Sequence, residues 1–385
     1  MSPRPFPSLR GLCSTMFYRH YAKGKPFLQE MVLLLLVWVD DIWAAFTHGT
    51  RNVTFDPFFK VYTRTFPVKD LGSIKRFVGI DVDHNRVKGT LSMSMETYLS
   101  QMVPKFLSAK ELEDLEGLPA EQLDKHGRQS TFSNISLAES DADRTDRPYL
   151  SALASVLFAV SMVHGQCAFH VSFLSRFCNS PSHAAWDALA RVMRYLYRTR
   201  KFALTYRSGS IRMPHYDTCT PPLNYGIFMK LHGMLIISDA AWKTGGTYLG
   251  WFMMFAGAAI DWSSVLAKVK LSSTEAEIAA GSVAGKRSAF ARGMIGEVIS
   301  LPKLPISHVI DNSATPALTE NLGVSKKTEH FRRWLHYMRY LVTHGFTYVH
   351  LVRTHEMQAN ALTKVDNKGA FLSFRGVFFG MEDAE

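Results

Sequence analysis

The strongest constraint on how this chain can fold is the placement of three carboxylates. Leu235-Ile236-Ile237-Ser238-Asp239 is an apolar run closed by an acid, and His308-Val309-Ile310-Asp311 repeats the pattern further on. Between them Glu277 sits in Ser272-Ser273-Thr274-Glu275-Ala276-Glu277-Ile278-Ala279-Ala280, where polar start residues lead into small apolar ones. Short apolar runs bounded by polar residues read as buried strands, and the Glu277 segment reads as a helix. Strand, helix and strand, each carrying one acid, fit an α/β (α+β) arrangement. Carboxylates converging from rigid elements are how a site for two divalent cations is assembled, the cations clamping the attacking and leaving oxygens of a phosphodiester. Three acids at such separations are common in soluble proteins, so the surrounding text has to carry the reading.

Bulk properties narrow the class. A length of 385 residues fits two or three domains better than one. With 47% hydrophobic and 20% charged residues the chain is globular, not disordered. A net charge of +11 makes a polyanionic partner plausible without demanding one. Cys13, Cys167, Cys178 and Cys219 lack metal-ligand spacing and read as reduced thiols of an intracellular protein, in the cytoplasm or nucleus. The longest apolar run, Met31 to Val39, stops at Asp40-Asp41, too short for a membrane span of roughly 20 residues. No signal peptide is expected, because prolines and charges interrupt the N-terminus.

Along the chain, Val32 to Trp43 reads as two strands joined at Asp40-Asp41, with further strands within Phe66–Val82 and Gly89–Met93 and a short helix over Glu96–Phe106. Residues 108–147 turn acidic and turn-rich, as a linker or partly helical insertion does. Pro148 to Tyr206 is helical in pattern. Trp186, Leu189, Met193 and Leu196 recur at helical spacing, with Arg191, Arg194 and Arg198 on another face and Asn179-Ser180-Pro181-Ser182 as a start signal. That arginine face is either a solvated surface or a polyanion contact. After a Ser-, Pro- and Thr-rich loop at 208–224, strands are expected near Gly226–Lys230, Met234–Ile237 and Leu249–Met254. The Glu277 helix, a strand to Asp311, a helix over Lys326–Thr343, strand Phe346–Val352 and a last short helix follow. There is no internal repeat.

These words, in this order, resemble the Pol polyprotein of copia-type LTR retrotransposons. The family's RNase H motifs read roughly SDADWAG, LSSTEAEY and DNQSA, beside Ser238-Asp239-Ala240-Ala241-Trp242, Leu271-Ser272-Ser273-Thr274-Glu275-Ala276-Glu277 and Asp311-Asn312 here. Val37-Trp38-Val39-Asp40-Asp41 is similar to the YVDD of a reverse transcriptase palm. Phe66-Pro67-Val68-Lys69-Asp70-Leu71-Gly72 and Val78-Gly79-Ile80-Asp81-Val82 follow that family's text downstream of it. Arg147-Pro148-Tyr149-Leu150-Ser151 and Val171 to Phe177 resemble its connection segment, although His164-Gly165-Gln166-Cys167 replaces TRPD. The resemblance runs from about Cys13 to Met381. It implies a truncated reverse transcriptase palm (1–107), a linker (108–147), a helical connection (148–224), an RNase H-like mixed-sheet domain (225–365) and a C-terminal tail (366–385).

The resemblance also implies a site. Asp239, Glu277 and Asp311 would bind Mg²⁺ (or Mn²⁺), with Glu277 preferred because relatives place the ligand Glu just before a hydrophobic helix face; Glu275 would be a surface residue. The family's closing phrase, like VPTEDQLADILTK, carries a fourth ligand Asp, and here Asn360 stands in its place, between Gln358-Ala359 and Ala361-Leu362-Thr363-Lys364. An amide oxygen can coordinate a hard cation but brings no charge. His355 and Glu356 are either exposed loop residues or compensating ligands. Ala241 replaces the second Asp of SDADWA, and Arg332 reverses the charge that ends the family's KHID.

Asp40 and Asp41 are the polymerase-motif remnant. A palm needs another metal-binding Asp upstream, so no self-sufficient polymerase activity is expected. Lys230 to Lys364 holds 15 Lys and Arg against 9 Asp and Glu. Lys268, Lys270, Lys286, Arg287, Lys326, Lys327, Arg332 and Arg333 are the candidate phosphate contacts. Trp242 and Trp262 are stacking platforms or core residues, core being the commoner fate. The expected function is cleavage of RNA in an RNA–DNA hybrid. The alternative is a catalytically decayed nucleic-acid-binding remnant. The expected partners are nucleic acid and the upstream part of the polyprotein, with no membrane.

Overall fold

Antiparallel strands open the computed structural model, which describes residues 16–21, 31–38, 41–47, 49–116, 135–209, 211–242, 246–267, 271–320, 326–365 and 367–381. β1 (Met16–Tyr21), β2 (Met31–Trp38) and β3 (Asp41–Phe46) pair in that order. β2 and β3 pair antiparallel with Trp38 opposite Asp41, which lies in β3; Asp40 is outside the described residues. Helix α1 (Arg51–Tyr62) follows, with Phe55 stacked on Phe46 at 5.7 Å and on Phe59 at 5.4 Å. The two-residue β4 (Arg76–Phe77) places Phe77 5.9 Å from Trp43. These elements belong to one unit, Met1–Val78 with Phe290–Leu301; the second unit is Gly79–Ala289 with Pro302–Glu385.

The second unit begins with the hairpin β5 (Ile80–Asn85) and β6 (Thr90–Ser94). Asn85 accepts from the Lys88 amide across its turn, and Gly89 closes the turn at φ 62°, which a side chain disfavours. Helices α2 (Glu96–Met102), α3 (Ala109–Glu116), α4 (Tyr149–Met162), α5 (Ala168–Leu174) and α6 (His183–Arg198) lead to β7 (Leu204–Arg207), which pairs with β6. α6 starts where the sequence signalled, because the Ser182 hydroxyl accepts from the Ala185 amide. Its face of Trp186, Leu189, Met193 and Leu196 is buried as the spacing requires.

One strand expectation is overturned. Tyr225–Lys230 forms helix α7, not a strand, because the Asn224 side chain caps it by accepting from the Ile227 amide. A short apolar run has no periodicity to separate the two states, and the cap decides.

The mixed sheet follows as β8 (Leu235–Ala241), β9 (Thr247–Phe255) and β10 (Ala258–Ala267), an antiparallel meander. Helix α8 (Ser273–Val298) leads to β11 (Ile306–Ile310). Helices α9 (Ala314–Glu320) and α10 (Arg332–Thr343) lead to β12 (Thr347–Leu351). The order is β10-β9-β8-β11-β12, with β11 parallel to both β8 and β12. Parallel neighbours need crossovers, and the helices supply them. β10 went unread in the sequence because its alternation with Asp261, Ser263 and Ser264 looks like a polar loop.

Residues of opposite parity on β9 bury against different layers. Leu249 packs with Ala276, Ala279 and Ala280 of α8, whose small side chains let helix and sheet approach closely. Phe252 packs on Phe374 and Phe378 of α11 (Lys368–Phe379) at 5.3 and 6.0 Å. The stretch assigned to a C-terminal tail thus supplies three fully buried phenylalanines, Phe374, Phe378 and Phe379. Cys167, Cys178 and Cys219 are free thiols. No described helix is long and apolar enough to cross a membrane.

Candidate functional site

The site is built where the buried end of β8 meets the start of α8. Leu235 to Ser238 are fully buried, and Asp239 ends that run with 3% of its surface exposed. α8 begins at a capping box: Ser272 accepts from the Glu275 amide at 3.1 Å, and the Glu275 carboxylate reaches back to the Leu271 amide at 2.7 Å. That start directs Glu277 to β8, where its Oε1 accepts from the Ala240 amide at 3.3 Å. Asp311 follows β11, whose parallel pairing with β8 brings its C-terminal end beside Asp239. One carboxylate oxygen from each of Asp239, Glu277 and Asp311 lies within 4.8 Å of the other two.

Such crowding is electrostatically costly without a cation. Burial pushes Asp239 up to about 6, and the charge of Asp311 adds to the shift. Burial raises Glu277 well above the ordinary range, with Asp239 and Asp311 contributing. Lys364 pulls both back down but does not cancel the effect. Glu277 Oε2 is buried with no hydrogen-bond partner. An all-oxygen, anionic and under-satisfied donor set fits a hard divalent cation.

Asn360 lies in the turn Gln358–Leu362, 5% exposed. Its Nδ2 donates to the Thr354 carbonyl at 2.8 Å, while its buried Oδ1 has no hydrogen-bond partner. Three residues on, the Thr363 hydroxyl donates to Asp239 Oδ2. Gly250 faces Asp239 across the β8–β9 ladder. A Cβ there would stand 2.6 Å from Thr363 Cγ2 and 2.8 Å from Leu362 Cβ, so glycine is what lets the turn approach. Gly250, Thr363 and Lys364 were missed from the sequence, although Thr363-Lys364 is the unchanged end of the family's closing phrase.

Other expectations need correction. Glu275 is not a surface residue: it is 7% exposed, holds the helix start and lies 3.7 Å from His330 Nε2. Glu356 is neither a free loop residue nor part of the acid group. It accepts from the Thr218 hydroxyl and from the amides of Asp217 and Thr218. Burial works to raise its carboxyl, but these bonds and the field of His355 hold it below the usual range. Trp262 is structural, donating to the Val160 carbonyl at 3.0 Å and packing on Phe378, whereas Trp242 is 50% exposed just beyond β8.

The proposed cations divide. Lys286 and Arg333 are exposed. Arg287 pairs with Asp261 at 2.8 Å, and Arg332 with Glu329 at 3.3 Å. Only the backbone of Lys326 and Lys327 is described, and Lys268 and Lys270 lie outside the described residues. In the other unit Asp41 is exposed and belongs to no group of three metal-ligating side chains among the described residues; Asp40 lies outside them.

No protein-family model matches the chain. It is 24% identical over 348 residues to the retrovirus-related Pol polyprotein from transposon TNT 1-94 of Nicotiana tabacum, covering 90% of this chain and 24% of that protein. It is 28% identical over 248 residues to a putative transposon Ty5-1 protein of Saccharomyces cerevisiae, covering 64% of this chain and 70% of that one. The Pol polyprotein from transposon RE2 of Arabidopsis thaliana is 26% identical over 352 residues, 89% of this chain and 21% of that protein. Among solved structures, RNase H1 from the archaeon Halobacterium salinarum aligns with 34% of this chain and 93% of its own at 17% identity. Its TM-score of 0.27 is too low to carry a fold assignment, which rests on the strand order above. Spanning about a quarter of the length of the tobacco polyprotein, the chain is a relative of retrotransposon Pol polyproteins, matched over most of its own residues.

Proposed function

We propose that this chain is the reverse transcriptase–RNase H part of a copia-type Pol polyprotein and that its mixed-sheet domain cleaves the RNA strand of RNA–DNA hybrids. The observation that carries this is the meeting of Asp239, Glu277 and Asp311, drawn from two strand ends and a helix, within 4.8 Å. In this reading residues 1–107 belong to the palm, 148–224 to the connection and 225–365 to the nuclease domain, and Asp40 and Asp41 lie outside the nuclease site.

Asp239, Glu277 and Asp311 would hold Mg²⁺ or Mn²⁺, with Asn360 Oδ1 a neutral fourth donor. Bound there, divalent cations supply an activated water and stabilise the leaving oxygen. The protein's own groups prepare the site. Thr363 holds Asp239 by its hydroxyl, the Ala240 amide holds Glu277, and Lys364 offsets part of the negative field. Discrimination for RNA would come from the 2′-hydroxyl. Among the proposed phosphate contacts with described side chains, Lys286 and Arg333 are exposed and pair with no other described charge.

Asn360 favours a second reading, a binding remnant that has lost catalysis. Hydrolysis of a labelled RNA–DNA hybrid in Mg²⁺ and in Mn²⁺ separates the two. Cleavage lost in Asp239→Asn and accelerated in Asn360→Asp supports the nuclease. Hybrid binding without cleavage, with activity appearing only in Asn360→Asp, supports the remnant.

A further inference from the structure

An open groove of about 690 Å³ has Asp311 of the acid group in its lining. Its lining also includes exposed Ser313, Arg353 and Thr354 and the loop carrying Asp217 and Thr218. That loop precedes the mixed sheet in the chain and reads in the sequence as a Ser-, Pro- and Thr-rich loop. It is instead fastened down. Thr220 and Leu351 exchange both backbone hydrogen bonds at 2.8 Å, and the Pro221 carbonyl lies 2.7 Å from His350 Nδ1. Glu356 accepts from the Asp217 and Thr218 amides, and the Thr218 hydroxyl, which donates to Glu356, accepts from the Arg353 amide at 2.9 Å. The Tyr216 hydroxyl donates to Gln358 at 3.0 Å.

Among the described residues the groove is lined by one arginine, Arg353, and two carboxylates, Asp217 and Asp311. Asp217 Oδ1 lies 3.0 Å from His215 Nε2, and Asp311 belongs to the acid group. Arg353 is exposed and makes no ion pair with another described residue. A guanidinium flanked by exposed hydroxyls, beside a carboxylate cluster suited to divalent cations, is the chemistry that receives phosphate.

We propose that this groove binds the sugar–phosphate backbone of a nucleic-acid strand crossing the acid group, with Arg353 contacting a phosphate and Glu356 positioning the 217–220 wall. The proposal rests on the nuclease reading for its ligand class but concerns binding, so the two can fail separately.

The test is binding of a fluorescent RNA–DNA hybrid to the full chain, titrated across a range of KCl concentrations. A phosphate contact contributes about one unit to the slope of log affinity against log salt. Arg353→Ala should weaken binding about tenfold and reduce that slope by about one, and Arg353→Lys should restore most of the slope. Glu356→Ala should speed deuterium uptake at the Asp217 and Thr218 amides and weaken binding while leaving the Arg353 slope contribution in place. Arg353→Ala binding like the parent, at every salt concentration, overturns the proposal whether or not the parent cleaves. A parent chain that binds no hybrid at all overturns it too. A parent that binds and shows the Arg353 slope change but never cleaves leaves the groove standing and overturns the nuclease reading.

Discussion

Thr363 donates its hydroxyl hydrogen to Asp239 from a turn that can approach only because Gly250 faces that acid across the sheet. The closing phrase of the domain is thereby bonded to the end of its first strand. Asn360, on the same turn, is carried in by the same approach.

Replacing Thr363 by valine keeps the shape and removes the donor. Asp239 then keeps its burial and its repulsion from Asp311 without that compensating bond. Cleavage of hybrid, and the rise in melting temperature on adding Mg²⁺, should both fall, the rate by about tenfold. Thr363→Ser should retain most of each. Equal rates for the valine variant and the parent would show that the bond is incidental.

Gly250→Ala tests the approach itself. Alanine normally gains about 0.4–1 kcal/mol over glycine through the unfolded chain. Contacts of 2.6 and 2.8 Å to Thr363 and Leu362 oppose that gain, and overpacking of this kind costs about 1–3 kcal/mol. The net outcome should be destabilisation in urea unfolding, with the loss of Mg²⁺ response following displacement of the turn.

Glu277→Gln should stabilise the metal-free protein. It removes one of three crowded acids whose buried Oε2 has no partner. An increase of about 2–4 °C in melting temperature corresponds to roughly 1 kcal/mol in a domain of this size. On the proposed metal site, Mg²⁺ should raise the melting temperature of the parent and not that of this variant. A lower metal-free melting temperature would mean that the carboxylate is not repelled.

Acid should unfold the chain partly through buried histidines that are not members of the acid group. Burial lowers His164 to about 3 and His170 to about 4. Both therefore stay neutral in the fold, while the unfolded chain binds protons at about 6.5. Their contribution is fully present above about pH 6.5 and is lost as pH falls towards the folded values, at about 1.4 kcal/mol per pH unit for each histidine. His164→Gln should make urea-unfolding stability fall less steeply between pH 6 and 4 by about one bound proton. Parallel slopes for variant and parent would remove His164 from the account.

The acid group was legible in sequence because each member ends or begins a regular element whose pattern is local. The β8 and β11 runs and the Ser272–Glu275 start are readable from neighbours a few residues apart. Helix α6 was equally legible from Trp186, Leu189, Met193 and Leu196. Where the pattern was ambiguous, the reading failed: Tyr225–Lys230 is apolar without periodicity and took the helix its Asn224 cap starts.

By itself, then, the sequence determined the two strands and the helix that carry the three acids, and the family likeness. Only the tertiary structure decided what surrounds them. Gly250, Thr363 and Lys364 gather about Asp239 through strand register and a turn more than a hundred residues away, and Glu356 leaves the site to bind a loop 138 residues upstream. Contacts at that separation are set by how sheet and helices stack, which no local pattern of residues records.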